Sequence, residues 1–385
     1  MHVLLVIDRI GVQGGSEVST LAIVEGLHGR GLRFSIACLY PSPDSGAHRN
    51  LGDLGMDVTV LPSGWVHKVR ALRSLIRSTR PDLVHAVLFD ANMVARAVAP
   101  ICGVPLLSSL VSTQYDPSAM AAAPKQWKKR IVRWLDMVSG KCAVTRYHAV
   151  SASVAEHGTR RLAIHPSRVT VVERGRSDAA LGRRSAQRRT EVRGSLGLSE
   201  ETPVILAIAR HEPPKGLAVL MTAMVEVTRQ VRDASLLVAG REGSETRTLE
   251  AWIGANGLQG SVTLLGNRND VGDLLAACDC FTLPSLWEGL PGAVLEAMAL
   301  EAPIVASDLP GVRDAVVENA ELVPPGDSEA LAEAILRVLR GQSTSARNVG
   351  ANRMRFEEYF SLEAMLQGMR QLYVRTATER RWRRR

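Results

Sequence analysis

The stretch that decides the fold reads PSLWEGLPGAVLEAMA and spans residues 284–299. It follows an apolar segment, residues 280–283, that is typical of a buried strand, and its Leu-Pro-Gly turn predicts the start of a helix. The first amides of such a helix have no partner within it and favour a phosphate or diphosphate. Glu288 precedes this helix and Glu296 lies about two turns along it. Because carboxylates repel phosphates, we expect both glutamates to accept hydrogen bonds from sugar hydroxyls.

The composition is that of a protein with a large apolar core. The chain has 385 residues, of which 46% are hydrophobic and only 4% are aromatic. This length predicts two domains, and the few aromatic residues argue against a base-stacking platform for nucleic acid. No apolar run reaches the 18 residues of a membrane span, and residues 2–7 are typical of a buried strand rather than a signal peptide. From the lack of a signal peptide we expect a cytoplasmic protein. The five cysteines show no metal-binding spacing, and as free thiols they fit that reducing compartment.

The net charge of +8 suits an anionic partner such as a nucleotide or a membrane surface. No DNA-binding motif accompanies the charge, so we predict no nucleic-acid partner. Residues 125–138 predict a basic amphipathic helix that can lie on an anionic membrane at its cytoplasmic face. Its apolar stripe consists of Trp127, Ile131, Trp134, Leu135 and Val138, and its flanking cations are Lys128, Lys129 and Arg133. The alternative is that the stripe packs into the core. The arginine-rich end, residues 380–385, would add to the attraction to a membrane.

The first half of the chain alternates apolar strands with helices, which is typical of a parallel, doubly wound sheet. Strands are predicted at residues 3–7, 34–40, 57–61, 82–86 and 104–110. Helices are predicted from the turn at 14–17 to about residue 29, at 69–78, and from about 90 to 101.

A polar, arginine-containing segment, residues 175–197, predicts a hinge, after which the alternation restarts. The second set of strands is predicted at 204–209, 235–239, 262–265, 280–283, 304–306 and 320–323. The chain is therefore predicted to form two Rossmann-like domains that face each other across a deep cleft. Their predicted bounds are 1–180, with a helix at about 362–377 in the returning segment 360–385, and 195–355. Ligands of such sheets bind beyond the carboxyl ends of the strands.

Two cations follow the first strand of the second domain. Arg210 comes directly after the strand, and Lys215 comes after two prolines and before a glycine. Arginine supplies a planar fork of donors and lysine a point charge, so together they suit a diphosphate. We therefore assign Arg210 and Lys215, with Glu288, to the catalytic site.

Other strand-end loops carry glycines that let the backbone approach a ligand closely. Gly14 and Gly15 follow the first strand and precede a helix, although the dinucleotide fingerprint GxGxxG is absent there. Gly266 and Arg268 follow another strand, where backbone groups would read the edge of a nucleobase. For Gly14 and Gly15 an ordinary turn is the alternative, and for Gly266 and Arg268 the spacing alone does not establish the role.

His85 ends a strand of the first domain and is a candidate for binding acceptor hydroxyls or relaying a proton. A structural histidine is the equally weighted alternative. The chain contains no Asp-x-Asp pair, which is a common means of binding a metal and a diphosphate together. We therefore expect no metal and no cofactor, with the cations and the helix start acting on the diphosphate instead.

Taken together, these motifs resemble those of the family-4 retaining glycosyltransferases, which have the two-domain GT-B fold. The resemblance covers nearly the whole chain and is most specific in the second domain. It is carried by segments 209–216, 238–240, 284–299, 303–307 and 323–327.

The resemblance implies a role for each matching position. Arg210 and Lys215 would bind the donor diphosphate, Glu288 the hydroxyls of the donor sugar, and Glu296 the ribose of the nucleotide. Gly15 would approach the diphosphate from the first domain. The segment from the loop to the helix start would offer backbone amides to phosphate and sugar. It consists of Gly289, Leu290, Pro291, Gly292, Ala293 and Val294, of which Pro291 has no N–H to donate.

Three departures from the family pattern concern the acceptor side and the segment between the domains. Many relatives have a histidine where this chain has Val111, and Ser112 or Thr113 are its candidate substitutes. The second histidine of a His-x-His segment is replaced by Val87, and the usual Asn-Gly between the domains is Arg174 and Gly175 here.

The resulting hypothesis is a metal-independent hexosyltransferase acting in cell-surface polysaccharide, glycolipid or secondary-metabolite glycoside synthesis. Its candidate acceptors are a lipid-linked sugar, which the basic helix favours, a growing polysaccharide and a small secondary metabolite. The alternatives are a nucleotide-sugar epimerase or a sugar phosphorylase on the same fold, or a non-catalytic membrane-associated binding protein. Conversion of a nucleotide sugar without an acceptor would distinguish the epimerase.

Overall fold

The computed structural model describes residues 1–11, 14–42, 46–121, 125–318, 320–343 and 347–383. The chain divides into two compact units. The first unit comprises Met1–Gly175 and Leu362–Arg385, and the second unit comprises Arg176–Ser361.

The first unit is built on a seven-stranded parallel sheet with the order β3-β2-β1-β4-β5-β6-β7. Its strands are β1 (His2–Ile7), β2 (Arg33–Cys38), β3 (Asp57–Val60), β4 (Leu83–Val87), β5 (Leu106–Leu110), β6 (Arg146–Ala149) and β7 (Val169–Val171). Its helices before residue 175 are α1 (Gly15–Leu27), α2 (Gly46–Asp53), α3 (Trp65–Thr79), α4 (Phe89–Val98), α5 (Pro117–Ala121), α6 (Gln126–Ala143) and α7 (Ala152–Arg161).

The central strands are buried on both faces, which is why they are continuous apolar runs rather than alternating ones. All six residues of β1 are buried. Its side chains alternate between two apolar clusters, with Leu5 packing on the side of α1 and Leu4 on the side of α3 and α4. The chain moves outward from β1 in one direction and from β4 in the other, so the β1/β4 boundary is the switch point of this sheet.

The second unit repeats this construction with six parallel strands in the order β10-β9-β8-β11-β12-β13. Its strands are β8 (Val204–Ile208), β9 (Ser235–Ala239), β10 (Val262–Gly266), β11 (Cys280–Leu283), β12 (Ile304–Ser307) and β13 (Glu321–Val323). Its helices are α8 (Asp178–Leu181), α9 (Ala186–Ser195), α10 (Leu217–Gln230), α11 (Thr246–Ala255), α12 (Val271–Ala277), α13 (Gly292–Ala299), α14 (Pro310–Ala315), α15 (Ser328–Leu339) and α16 (Val349–Arg355).

The last helix, α17 (Leu362–Arg383), belongs to the first unit and is longer than the predicted 362–377. Leu366 packs against α1 at Gly26, where a Cβ would collide with the leucine. Tyr373 contacts the ring of Phe34 on β2, with centroids 5.9 Å apart. The predicted fold class, two doubly wound α/β domains with a C-terminal helix that returns to the first, is confirmed.

The predicted hinge at 175–197 is wrong over most of its length, because residues 178–181 form helix α8 and residues 186–195 form helix α9. Low hydrophobicity indicated a hinge, but the segment contains an arginine with a structural role. Arg193 is fully buried and donates to the backbone carbonyls of Ser199, Glu200 and Thr202 and to Asp279. The prediction also omitted β6 and β7, which are short strands of three to four residues.

Candidate functional site

The predicted donor-binding residues lie at the switch point of the second sheet, where β8 and β11 are neighbours. Open α/β sheets bind ligands at such points. The loops after these two strands are joined, since the Leu286 N–H donates to the Pro214 carbonyl at 2.8 Å. Gly216 has a φ of +62°, and a Cβ there would collide with the carbonyl of Pro284. Only glycine therefore allows the loop carrying Lys215 to lie so close to the loop after β11.

Lys215 and Glu288 form an ion pair across these two loops. Both side chains are largely buried, with 22% and 12% of their surface exposed. The hydroxyl of Ser285, which is fully buried, donates to the same Glu288 oxygen at 3.0 Å. The structure thus brings together two of the three predicted catalytic side chains and fixes the carboxylate from a second direction.

Glu296 on α13 is also paired, and its partner is a residue that the sequence reasoning missed. The Nε of Arg176 donates to Glu296 Oε1 at 2.6 Å, and 8% and 17% of the two side chains are exposed. The guanidinium lies against Gly292, where a Cβ would collide with it. Arg176 therefore covers the first turn of α13. The nearest sequence signal was Arg174, two residues earlier, which replaces the asparagine of the family pattern.

Arg210 follows β8 and is exposed. Among the described residues no carboxylate lies within ion-pairing distance of its guanidinium. It thus differs from Lys215 and Arg176, whose charges are already compensated by Glu288 and Glu296. Arg210 is available to a ligand at this edge of the sheet without breaking an ion pair.

The loop before α13 is packed closely against α14. A Cβ at Gly311 would collide with the carbonyl of Gly289, and Leu290 is buried. Pro291 precedes the helix, and its carbonyl accepts from the N–H groups of Val294 and Leu295 at 3.2 and 3.4 Å. The predicted amide donors Gly292 and Ala293 come before this first helical bond.

Gly266 and Arg268 lie on the loop after β10. Gly266 has a φ of +65°, and its carbonyl accepts from the Gly240 N–H at 2.8 Å. Arg268 pairs with Asp270 on the same loop, its Nε donating to Oδ1 at 2.8 Å. Their predicted role toward a nucleobase stays a prediction.

In the first unit, Gly14 precedes helix α1 and Gly15 is its first residue. Arg174 is buried, and its Nη1 would lie 3.2 Å from a Cβ at Gly15. Its Nη2 also donates to the hydroxyl of Ser16 at 3.4 Å. The arginine that departs from the family pattern therefore lies on the glycine turn predicted to approach the diphosphate.

A cavity of about 260 Å³ lies within the first unit at the β1/β4 switch point, and Ser112 is one of its lining residues. Ser112 is exposed, whereas Thr113 is buried and its carbonyl accepts from the Asp116 N–H at 2.9 Å. Of these two candidate substitutes for the missing histidine, Ser112 is the one that lines the cavity.

His85 lies in a buried chain of hydrogen bonds. Its Nδ1 is 2.9 Å from the hydroxyl of Tyr373 on α17, and its Nε2 is 2.8 Å from the Ser109 hydroxyl. Ser109 continues to Nδ1 of His148 at 2.8 Å, whose Nε2 is 2.9 Å from the Val172 carbonyl. A carbonyl only accepts, so His148 must be protonated on Nε2.

The other hydrogen bonds of this series then have one consistent set of donors and acceptors. Ser109 donates to His148 and accepts from His85 Nε2, and the Tyr373 hydroxyl donates to His85 Nδ1. Burial lowers the pKa of His85 to about 3 and that of His148 to about 4, so both rings are neutral. With both ring nitrogens bonded to protein groups, His85 has a structural role here. Its predicted acceptor role stays a prediction that this geometry does not favour.

The amphipathic helix predicted at 125–138 is observed as α6, and its apolar stripe is on the surface. The exposed fractions are 61% for Trp127, 49% for Ile131, 56% for Trp134, 43% for Leu135 and 39% for Val138. The alternative of a core-facing stripe is therefore excluded. The side chains of 380–385, predicted as a second basic contact, lie outside the described residues.

Within the described ranges, no three His, Cys, Asp or Glu side chains are grouped as ligands for a metal ion. The expectation of a metal-independent site stays a prediction. No helix in the same ranges is both long and apolar enough to cross a bilayer.

Comparison with solved structures places the two sheets in the GT-B fold. Anabaena Alr3699/HepE in complex with UDP-glucose matches 97% of this chain and 99% of its own with a TM-score of 0.83 at 20% identity. The lipopolysaccharide outer core galactosyltransferase WaaB matches 96% of this chain and 99% of its own with a TM-score of 0.67 at 16% identity.

Two family models match the sequence, one for each unit. The glycosyl transferase 4-like domain matches residues 14–175, and the glycosyl transferases group 1 model matches residues 188–355. The chain therefore belongs to the family-4 glycosyltransferases, which confirms the resemblance inferred from its motifs.

Two curated relatives are 25–28% identical to this chain over their aligned parts. The alpha-D-kanosaminyltransferase of Streptomyces kanamyceticus is 28% identical over 62% of this chain and 62% of its own length. The UDP-Gal:alpha-D-GlcNAc-diphosphoundecaprenol alpha-1,3-galactosyltransferase of Escherichia coli is 25% identical over 70% of this chain and 69% of its own. The match to the first of these thus spans less than two thirds of either protein.

Proposed function

We propose that the protein is a retaining, metal-independent glycosyltransferase that moves a hexose from a nucleotide-diphosphate sugar to an acceptor hydroxyl. The observation that carries the proposal is the pair of charge-compensated carboxylates at the β8/β11 switch point, Glu288 with Lys215 and Glu296 with Arg176. The two pairs are each neutral without a ligand, and their members can exchange these internal partners for the phosphates and hydroxyls of a donor.

The exchange assigns each group a role. Lys215 and the exposed Arg210 bind the diphosphate. Glu288 accepts hydrogen bonds from hydroxyls of the donor sugar, and Glu296 accepts them from the ribose. Negative charge grows on the leaving phosphate oxygens, so the two cations stabilise the transition state more than the ground state. A leaving oxygen can take the acceptor proton on the face where the acceptor attacks, and no protein base is required.

The proposed site of action is the cytoplasmic face of a membrane. Helix α6 presents two tryptophans and an apolar stripe to the surface, with lysines and arginines beside them. Interfacial helices of this kind bind anionic bilayers. The Escherichia coli relative is named for an acceptor carried on diphosphoundecaprenol, and we extend this substrate class, a lipid-linked sugar, to the present chain.

Nucleotide binding tests the donor site directly. Thermal unfolding of the purified protein would be measured with UDP, GDP and ADP, starting with UDP because the same relative is named for UDP-Gal. A nucleotide at about 100 times its Kd should stabilise the protein by roughly 2.7 kcal/mol. The Lys215→Ala variant should lose most of that stabilisation, and its transfer rate should fall by about 10²–10³-fold.

The matched control is Arg229→Ala on α10, the helix that Lys215 precedes. Arg229 is 69% exposed and pairs only with its helix neighbours as far as the described contacts show. Equal nucleotide stabilisation of the protein and Lys215→Ala would contradict the assignment. Conversion of the donor to an epimer without any acceptor would contradict the transferase.

A further inference from the structure

The loop that carries Arg210 lies in close contact with the loop between β9 and α11. Arg210 directly follows β8, so both loops leave the same edge of the second sheet. A Cβ at Gly240 would collide with the carbonyl of Ala209, and a Cβ at Gly243 would collide with the carbonyl of His211. Only glycine at these two positions therefore allows the loops to touch on both sides of Arg210.

Backbone hydrogen bonds hold the residue after Arg210 on this neighbouring loop. The His211 N–H donates to the Arg241 carbonyl at 3.1 Å, and the His211 carbonyl accepts from the Glu245 N–H at 3.0 Å. The side chain of Arg210, in contrast, is exposed. The backbone beside Arg210 is therefore fixed, while its guanidinium is accessible to a ligand.

The side chain of His211 adds a hydrogen bond of its own. His211 is 1% exposed, and its Nδ1 lies 3.0 Å from the hydroxyl of Thr246, the first residue of α11. The same hydroxyl accepts from the Gly243 N–H at 2.9 Å. The ring therefore connects the loop that carries Arg210 to the first turn of α11.

Packing alone does not account for a histidine at this position. Its Nε2 is buried and has no hydrogen-bond partner among the residues that the structure describes, whereas both ring nitrogens of His85 are bonded. An unpaired buried nitrogen is destabilising, and a leucine of similar size would avoid it. Burial lowers the pKa of His211, so the ring is largely neutral at pH 7 and adds little charge to the site. What the histidine supplies is the bond from Nδ1.

We propose that His211 is a positioning residue for the donor diphosphate, and that it holds the backbone of Arg210 in place through its bond to Thr246. The role of Arg210 toward the diphosphate is part of the proposed function, on which this inference rests. A fixed backbone limits the positions that the flexible guanidinium reaches, so less conformational entropy is lost when it binds the phosphates. Lys215 is held separately, because its loop is bonded to the loop after β11.

Inorganic pyrophosphate is the probe, because it reports the contacts to a diphosphate whichever nucleotide the protein uses. Its affinity for the full-length protein would be measured by titration calorimetry. Arg210→Ala should weaken binding by about tenfold, since a hydrogen bond to a charged group is lost. His211→Leu should weaken it by about three- to tenfold. The temperature of unfolding of His211→Leu should not fall, because the substitution also removes the unpaired nitrogen.

The double variant Arg210→Ala/His211→Leu separates a positioning role from a merely structural one. Its affinity for pyrophosphate should equal that of Arg210→Ala within about twofold, because a residue that acts through Arg210 has no effect once that side chain is gone. A histidine that only stabilises the fold would weaken binding by the same factor in both backgrounds.

Two further substitutions identify the nitrogen that matters. The amide of asparagine reaches the position of Nδ1, and that of glutamine reaches the position of Nε2. His211→Asn should therefore retain most of the affinity, whereas His211→Gln should resemble His211→Leu. Thr246→Val should weaken binding as well. Its matched control is Thr222→Val on α10, because Thr222 is exposed and its hydroxyl donates to the Ala218 carbonyl of its own helix.

Three results would overturn the positioning role and leave the proposed function intact. They are unchanged pyrophosphate affinity in His211→Leu, a loss that persists in the Arg210→Ala background, and equal affinities of His211→Asn and His211→Leu. If Arg210→Ala itself binds pyrophosphate like the unaltered protein, the role of Arg210 in the proposed function fails, and the role of His211 fails with it. Arg210→Ala therefore distinguishes the two failures.

Discussion

At the scale of single residues, Arg176 decides what Glu296 can do. The two side chains form an ion pair at 2.6 Å in a largely buried position. If Glu296 binds the ribose, the nucleoside must compete with the arginine for the same carboxylate. Arg176 is thus both a stabilising partner of the free protein and a competitor of the ligand.

Replacing Arg176 with methionine should separate these two effects. The Arg176→Met variant leaves Glu296 without its partner, and we expect the free energy of unfolding to fall by roughly 1–3 kcal/mol. The nucleoside of whichever nucleotide binds should then bind about tenfold more tightly, because it no longer displaces a charged partner. Urea unfolding and titration calorimetry measure the two quantities.

The comparison variant is Arg183→Met in the same unit. Arg183 is 73% exposed and lies 3.5 Å from Asp178, so neither stability nor affinity should change noticeably. An unchanged or weaker nucleoside affinity in Arg176→Met would show that Arg176 does not compete for Glu296.

Roles were predictable from the sequence only for residues that follow the ends of strands. Lys215 and Glu288 both come directly after strands of one parallel sheet, so their meeting at one edge could be inferred. The pair of Arg176 and Glu296 spans 120 positions, and nothing in one sequence joins them. Arg96 and Asp136 were missed for the same reason, since α4 and α6 meet only through tertiary packing.

At the scale of elements, α6 differs from an ordinary surface helix, because its apolar stripe is exposed and a charged residue is buried. Its buried residues are Asp136 and Gly140, while its tryptophans are exposed. Asp136 ties the helix to the unit through Arg96 and through the Tyr115 hydroxyl, which donates to Oδ2 at 2.8 Å. The helix is therefore attached to the unit through its polar side, and its apolar side is exposed.

We expect the protein to sediment with vesicles of phosphatidylglycerol and phosphatidylcholine, and less with phosphatidylcholine alone. The double variant Trp127→Ala/Trp134→Ala should reduce the bound fraction at least tenfold, because burial of each large apolar side chain contributes roughly 1.5–3 kcal/mol. Trp65→Ala on α3, which is 52% exposed, is the matched control. Equal sedimentation of the double variant and the control would reject a membrane role for α6.

The periodicity of α6 was readable from sequence, but its orientation was not. A stripe at helical spacing looks the same whether it faces the core or the solvent, and only the packing of Asp136 decides. The arginines of α9 led to the opposite error, because a polar segment that was predicted to be an exposed hinge contains a buried side chain. Their composition predicts a hinge, yet Arg193 satisfies four backbone carbonyls and a carboxylate inside the unit.

At the scale of the whole molecule, the polypeptide returns to its first unit through α17. The hydrogen bonds that involve His85 and His148 are part of that connection. Tyr373 of α17 donates to His85 on β4, and the bonds continue through Ser109 to His148 on β6. Three strands and the last helix are thus joined by polar bonds inside an apolar core. A network of this kind requires every member to be satisfied.

The network predicts how the stability of the first unit depends on pH. Burial holds the pKa of His85 at about 3 and that of His148 at about 4, with Arg174 also lowering the latter. Unfolded histidines have a pKa near 6.5, so below that value the unfolded chain binds more protons than the native one. The contribution is complete above pH 6.5 and is lost as the pH falls toward 4. Between pH 7.5 and 5.5 each histidine should cost roughly 1.4 kcal/mol of stability.

Nitrogen-detected NMR of the nine histidines can check this directly. Two of them should stay neutral at pH 5.5 in the Nε2–H tautomer, and they should be assigned by His85→Gln and His148→Gln. Tyr373→Phe removes the donor to His85 Nδ1 and should lower the free energy of unfolding by about 1–3 kcal/mol, since it leaves a buried acceptor unpaired. Its matched control is Tyr359→Phe, a 45% exposed tyrosine. Titration of His85 with an ordinary pKa would show that the chain of bonds does not persist in solution, because a protonated Nδ1 cannot accept from Tyr373.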